Sequence, residues 1–309
     1  MKCLITGAAG FIGSHLCDQL LAEGHTVIGV DNLVTGNKKN IVHLESNPQF
    51  TFFEHDVTLT LPHSISAEVI FHFASAASPP KYQAYPIETL RVNSEGTYQL
   101  LEKARGWDAR FIYASTSEMY GDPKEHPQRE TYWGNVNPIG PRSCYDEAKR
   151  FGEAITYSFI RKYDLDGRIV RIFNTFGPRM DLEDGRVVTN FISQALKKEP
   201  LALYGDGMQT RSFCYVSDLV SGIIKVGFED KARGEVFNLG NPRELTIAEL
   251  AHLIQKLTGA RVGTTFEELP ENDPTRRQPD ITKAKTLLGW LPEISLENGL
   301  KKTIAFYQS

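Results

Sequence analysis

Short, almost uninterrupted apolar runs recur along the first half of the chain, each followed by a segment of helical period, and few architectures accept that rhythm. KCLIT (2–6), TVIGVD (26–31), FTFFEHD (50–56), EVIFHFA (68–74), ARFIYAS (109–115) and GRIVRIF (167–173) read as strands. Strands without apolar–polar alternation are covered on both faces, as in a parallel sheet flanked by helices. A helix is expected near 12–23, closed by Gly24, since glycine takes the left-handed turn after a helix at little cost. Others are expected near 89–105 and near 144–162, where Ala148, Phe151, Ile155 and Phe159 recur at helical spacing. The pattern predicts an α/β fold with a doubly wound parallel sheet.

Beyond about residue 174 the rhythm changes. A Gly- and Pro-bearing stretch (176–185) leads to a helix near 187–198, a polar loop (204–212) and a helix from about 217. EVFNLG (235–240) reads as a late strand returning to the main sheet. Thr246 and Glu249 carry the signature of a capping box opening a helix to about Leu257. DPTRRQPDI (273–281) reads as a loop, and a last helix starts near 295. The expected division is a larger domain over 1–173 and a smaller lobe over 174–309, with a cleft between them.

No apolar run of the 309-residue chain approaches the roughly 18 residues of a membrane helix. The start, MKCLITGAAGF, reads as a strand entering a turn and not as a leader, so a cytoplasmic location is expected. A formal net charge of −4 argues against a nucleic-acid surface. Cys3, Cys17, Cys144 and Cys214 are too scattered for a disulfide framework or a zinc site, and no metal is expected.

The turn after the first strand is Gly7-Ala-Ala-Gly10-Phe-Ile-Gly13. Small residues there let the backbone approach a pyrophosphate at the positive end of the first helix. The spacing is G-x-x-G-x-x-G, which matches the dinucleotide fingerprint G-x-G-x-x-G only in part. Asp31, at the end of the second strand, suits a ribose diol and repels a 2′-phosphate, which favours NAD over NADP. A carboxylate that merely starts a turn is the alternative reading. Asp56 and Val57, after the third strand, fall beside the adenine by analogy of fold.

Tyr145 and Lys149 lie four apart and so share a helix face. A nearby ammonium together with an oxidised nicotinamide is expected to lower the tyrosine pKa and make it a base. Thr116, after the fifth strand, is placed to hold the same substrate hydroxyl. His55 and His72 read as packed or solvated side chains.

The glycine turn and the Tyr145–Lys149 pair resemble the extended short-chain dehydrogenase/reductase family, over essentially the whole chain. Within it, SPPKY (78–82), ASTSEMYGDP (114–123), YWGNVNPIGPRSCYDEAKR (132–150), RIFNTFGPRM (171–180), DGRVVTNFI (184–192), YGDGMQTRSFCYVSDL (204–219) and DPTRRQPDI (273–281) resemble the UDP-glucuronic acid decarboxylases, or UDP-xylose synthases. The resemblance implies a Rossmann-type fold and a catalytic set of Thr116, Glu118, Tyr145, Lys149 and Arg277. It implies NAD held by Gly7, Gly10, Phe11, Ile12, Gly13, Asp31, Asn32, Thr35, Gly36, Asp56, Val57, Ala74, Ser75, Tyr145, Lys149 and Thr175. It implies a UDP-sugar, UDP-glucuronic acid, held by Arg91, Asn174, Val188, Tyr204, Gln209, Arg211 and Arg277. The choice of Arg277 over Arg276 depends on the register of DPTRR. A homodimer through a four-helix interface is implied as well.

The chemistry expected of such a site is oxidation at the sugar C4, loss of CO₂ from the resulting β-keto acid, and return of the hydride. A sugar-nucleotide 4,6-dehydratase is the nearest alternative, but those enzymes carry Asp-Glu where this chain has Ser117-Glu118, and serine is a poor acid. A 4-epimerase and a non-catalytic NAD-binding protein are the remaining alternatives.

Overall fold

The computed structural model describes residues 1–269 and 276–309. Positions 273–275 of the DPTRRQPDI segment therefore lie outside the described residues.

The chain begins with β1 (Lys2–Thr6), α1 (Phe11–Ala22), β2 (Thr26–Asp31), β3 (Phe50–Glu54) and β4 (Val69–His72). The short helices α2 (Pro79–Ala84) and α3 (Pro86–Arg91) follow, then a π-helical turn, Val92–Gly96, and α4 (Thr97–Trp107). The single helix expected near 89–105 is thus interrupted. β5 (Arg110–Thr116), α5 (Ser143–Tyr163) and β6 (Gly167–Ile172) complete the first half. The remainder comprises β7 (Thr175–Phe176), α6 (Val187–Lys197), β8 (Leu201–Tyr204), β9 (Thr210–Ser212), β10 (Cys214–Tyr215), α7 (Val216–Phe228), β11 (Val236–Leu239), β12 (Glu244–Thr246), α8 (Ile247–Thr258), β13 (Thr264–Glu267), β14 (Arg276–Arg277), α9 (Thr282–Leu288) and α10 (Leu296–Gln308).

Seven strands form one parallel sheet in the order β11-β6-β5-β4-β1-β2-β3. The order reverses direction at β1, so a crevice opens beyond the carboxyl ends of β1 and β4, where doubly wound sheets bind ligands. Both faces of the sheet are covered. Along β5, Ile112 and Ala114 enter the core shared with α1 and α7, while Phe111 and Tyr113 enter the core shared with α4 and α5. This two-sided burial is why the strands read as continuous apolar runs.

Close approach at one helix fixes the geometry of the site. Gly152 of α5 faces β5, and a Cβ there would stand 2.0 Å from the Tyr113 hydroxyl oxygen. Glycine at this point brings α5, and the side chains of its first turns, down onto the end of β5.

Two segments expected as loops contain strands. Thr210–Ser212 pairs antiparallel with β12 and parallel with β14, so β9 is the centre of a three-stranded sheet. Strands of two or three residues are too short to leave a periodic signal, and their pairing partners are remote in sequence. The capping box is present: the Thr246 hydroxyl accepts from the Glu249 N–H, and the Glu249 carboxylate accepts from the Thr246 N–H at 2.7 Å.

Candidate active site

A cavity of about 1120 Å³ lies beyond the carboxyl ends of the central strands. One end is built largely from backbone. Gly7 has φ +75°, and a Cβ on it would lie 2.8 Å from the Phe73 carbonyl. A Cβ on Gly13 would lie 2.0 Å from the Gly7 carbonyl oxygen. The turn is therefore folded tightly onto the start of α1, whose N-cap, Gly10, places no side chain over the first-turn N–H groups. An uncapped helix start facing a cavity is a ready seat for an anion.

Asp31, buried at the end of β2, accepts hydrogen bonds from the Ala9 N–H (2.9 Å) and the Leu33 N–H (2.8 Å). Burial raises its pKa, against those two bonds and a third from Gly10. Gly36 keeps its flank open, since a Cβ there would stand 2.7 Å from Asp31 Oδ1. Asn32 donates to Asp56 Oδ2 at 3.3 Å, and Val57 is buried against Gly96. The Ala74 N–H donates to Thr6 Oγ1, and Ser75 Oγ accepts from Asn93. Phe11, Ile12, Thr35, Ser75 and Thr175 line the wall. Asp31, Asn32, Gly36, Asp56, Val57 and Ala74 are not among the residues lining the cavity, whereas the glycine turn and the uncapped helix start are, and these suit the pyrophosphate of NAD.

At the middle of the cavity Tyr145 and Lys149 project from one face of α5 beside Thr116, the last residue of β5. Lys149 Nζ donates to the Ala114 carbonyl at 2.9 Å and stands 5.8 Å from the centre of the Tyr145 ring. Burial lowers its pKa to about 7. Burial also pushes Tyr145 up to about 12, against the Thr116 hydrogen bond, which favours the phenolate. These directions belong to the protein without a nicotinamide, whose positive charge is part of the expected lowering of the tyrosine pKa. Lys149 is directed at a carbonyl and at ring faces, and its own charge is weakened by desolvation. His72 is a packed side chain, between Thr6 Oγ1 (2.8 Å) and Thr97 Oγ1 (3.1 Å).

The other end is charged. Glu118 follows β5 and its Oε2 accepts from Arg142 at 2.5 Å and from Arg277 at 3.4 Å. Burial alone would raise the Glu118 pKa, yet Arg277, Arg142 and Arg211 hold it down to about 2. Arg277, only 1% exposed, also donates to the carbonyls of Ser117 and Gly121, the latter at 2.9 Å. It is delivered by β14, which pairs Arg277 with Arg211 of β9, while Arg276 is exposed. Asn174, Val188, Tyr204, Gln209 and Arg211 form the adjoining wall, where Gln209 donates to the Tyr204 carbonyl at 2.8 Å.

Arg91 stands apart from the other expected substrate contacts. It is half-exposed on α3 and pairs with Glu95 at 2.9 Å, outside the cavity. On this helical segment Thr89 and Asn93 are the buried positions, which turns Arg91 outward. Arg142, Asp146 and Tyr82 are the contributors missed from the sequence. Arg142 and Asp146 flank Tyr145 at i,i+4 spacing, and Tyr82 stacks on Tyr145 with ring centres 5.0 Å apart and planes 5° from parallel. The four-residue interval in PRSCYDEAKR is the one signal that pointed to the first two.

A family model described as GDP-mannose 4,6 dehydratase matches residues 4–303. UDP-glucuronic acid decarboxylase 2 of Arabidopsis thaliana is 52% identical over 300 residues, covering 97% of this chain and 66% of that protein. UDP-glucuronic acid decarboxylase 1 of Xenopus tropicalis is 50% identical over 307 residues, covering 99% and 72% respectively. The chain belongs to the UDP-glucuronic acid decarboxylase family. That family sits within the extended short-chain dehydrogenases/reductases, and the likeness extends to three dimensions. The UDP-glucuronic acid 4-epimerase of Bacillus cereus, solved with UDP-glucuronic acid and NAD, superposes with a TM-score of 0.88 at 30% identity, covering 100% of this chain and 99% of that one. The chain spans about two thirds of the length of its Arabidopsis relative.

Proposed function

We propose that the protein decarboxylates UDP-glucuronic acid to UDP-xylose, using NAD that is reduced and reoxidised within each cycle. The observation that carries this reading is the Glu118 carboxylate held between Arg142 and Arg277 next to the Tyr145–Lys149 pair. Two guanidiniums beside a hydride-transfer centre suit a sugar that bears its own carboxylate.

Bound NAD supplies the hydride acceptor and donor and a positive charge that offsets the burial of Tyr145. Tyr145 Oη takes the proton of the C4 hydroxyl, which Thr116 holds, and Lys149 orients the nicotinamide ribose. Once C4 is a ketone, the carboxylate on C5 is β to a carbonyl. The electron pair of the C5–carboxylate bond moves onto the C4 oxygen as CO₂ departs, and the Tyr145 and Thr116 hydroxyls meet the charge that develops there. C5 then takes a proton from water in the cavity, Tyr145 returns its proton to the C4 oxygen, and the hydride that bound NAD would supply to C4 makes the cycle redox-neutral. With its pKa held near 2, Glu118 stays ionised and aligns the arginines instead of giving up a proton. Gly7, Gly10, Gly13 and Asp31 hold the cofactor, and Asn174, Val188, Tyr204, Gln209 and Arg211 hold the UDP. In this division 1–173 is the cofactor domain and 174–309 mainly serves the UDP-sugar.

Incubation with UDP-glucuronic acid and NAD⁺, followed by CO₂ release and NMR of the sugar, tests the reading. UDP-xylose without net NADH is expected. Absence of CO₂, or formation of a 4-keto-6-deoxy sugar from a dTDP- or UDP-glucose, would overturn it.

A homodimer is part of the same proposal. Ile87, Leu90, Tyr98 and Phe151 are exposed apolar side chains on α3, α4 and α5, and α3 and α4 each pack on α5. Light scattering after size exclusion is expected to give twice the chain mass, and a monomer would refute it. A cytoplasmic location is also proposed. Among the described residues no helix is long and apolar enough to cross a membrane, and the four cysteines are free thiols.

A further inference from the structure

Among the described residues, the carboxylates of Glu118 and Asp146 and the guanidiniums of Arg142, Arg211 and Arg277 act on one another beside the sugar end of the cavity, and the proposed decarboxylation brings a third carboxylate among them. Arg142 is the N-cap residue of α5 and Asp146 lies one turn along. The Arg142 guanidinium is shared unequally: one nitrogen is 2.5 Å from Glu118 Oε2, and Nε is 3.9 Å from Asp146 Oδ2. Glu118 has a second guanidinium, Arg277, at 3.4 Å. Asp146 is 6% exposed, and its Oδ1 is buried without a hydrogen-bond partner. A buried anionic oxygen with no donor is costly, and adding a proton removes the cost. Of the two negative charges in the cluster, that on Asp146 is therefore the easier to neutralise.

The groups that face Asp146 leave it so. Its own helix contributes Arg142, Cys144, Tyr145 and Glu147; the turn after β5 contributes Glu118; α2 contributes Tyr82; and β14 contributes Arg277. Burial and the Glu118 charge push the Asp146 carboxyl up to about 7, against Arg142 and Arg277.

We infer that Asp146 is a positioning residue that takes up a proton as the substrate carboxylate enters, leaving Arg142 and Arg277 to two carboxylates, Glu118 and the sugar's own. Resting on the decarboxylase reading, this gives Asp146 a part in selecting carboxylate-bearing sugars. The proton count agrees with the chemistry. A carboxylate that leaves as CO₂ while C5 gains hydrogen consumes one proton. When CO₂ departs the added negative charge is gone from beside Arg142 and Arg277, and Asp146 ionises.

The test is affinity in the NAD-loaded Tyr145→Phe protein, whose turnover is expected to be slow enough for UDP-glucuronic acid to be held through a rapid binding measurement. The Kd of UDP-glucuronic acid is measured from about pH 6 to 9 and divided by that of UDP-xylose, which lacks the carboxylate. Effects of Lys149 and of the diphosphate act on both ligands and cancel in the ratio. Above about pH 7 the ratio is expected to rise by close to tenfold per pH unit, the slope of one linked proton. Asp146→Asn on the same background is expected to flatten the ratio, and Asp146→Glu to restore its slope. A flat ratio before the Asp146 substitution, or an unchanged slope in Asp146→Asn, would overturn the inference. Should Asp146→Asn fail to fold, proton uptake on binding, read with an indicator dye near pH 7, replaces it. Uptake greater with UDP-glucuronic acid than with UDP-xylose is expected, and equal uptake would overturn the inference. Binding of UDP-xylose with no binding of UDP-glucuronic acid at any pH would overturn the proposed function itself, and this inference with it.

Discussion

The two ends of the cavity are built in different ways. The cofactor end is made by backbone from one short stretch, Gly7 to Gly13, set on the start of α1 and completed by Asp31 of the neighbouring strand. The rest is made by side chains from segments far apart in sequence: Tyr145 and Lys149 at the middle, and Glu118, Arg142, Arg211 and Arg277 at the sugar end. A backbone site fails when the chain cannot pack closely. A side-chain site fails when a charge or hydroxyl is removed, and the two kinds of damage separate in experiment.

The largest effect is expected at the side-chain end. Tyr145→Phe removes the base and is expected to lower turnover by about 10²–10⁴-fold, with NAD binding, followed by fluorescence, nearly unchanged. A comparable loss of NAD affinity would erase the contrast between the ends.

Gly13→Ala attacks the other end. The added Cβ meets the Gly7 carbonyl oxygen at 2.0 Å, and overpacking of this kind costs about 1–3 kcal/mol. That cost corresponds to about five- to 150-fold weaker NAD binding, while UDP binding, measured calorimetrically, is expected to hold. Wild-type NAD affinity in this variant would mean that the turn has room it does not show.

Glu118→Ala sharpens the comparison within the sugar end. Cofactor affinity should stay as it is, and CO₂ release should fall by about tenfold or more, because two buried guanidiniums lose their shared acceptor. Unchanged CO₂ production would remove Glu118 from the mechanism.

The smallest effect is on stability. Lys149 is held near pKa 7 by burial, below its ordinary 10.5. Between those values the unfolded chain binds a proton that the folded chain does not, so folding stability gains from this group as pH rises across that window. Lys149→Met should lack the gain, as seen in denaturant melts at several pH values. Equal slopes in the two proteins would mean that Lys149 remains charged in the fold.

The same contrast explains what was legible in the sequence. The sheet strands could be read because burial on both faces leaves continuous apolar runs, as Phe111 to Ala114 do on opposite sides of β5. The glycine turn could be read because its residues are consecutive. The start of α8 could be read because Thr246 and Glu249 cap each other locally. β14 could not, since two residues make a strand only by lying beside β9, more than sixty positions earlier. Arg91 was expected to touch substrate, but the sense of rotation around α3 and the π-helical turn after it is set by packing on α5 and leaves no mark in a single sequence. Arg142 was passed over for a related reason: its role depends on Glu118, which is held in place through the end of β5.

The pairing of β14 with β9 has a consequence for how such a chain can diversify. Arg211 and Arg277 lie side by side on adjacent strands, so the strand that carries one proposed UDP contact also sets the register of the arginine beside Glu118. With Arg211 on the UDP and Arg277 on the sugar acid as proposed, nucleotide preference and reaction type are inherited together through this pairing.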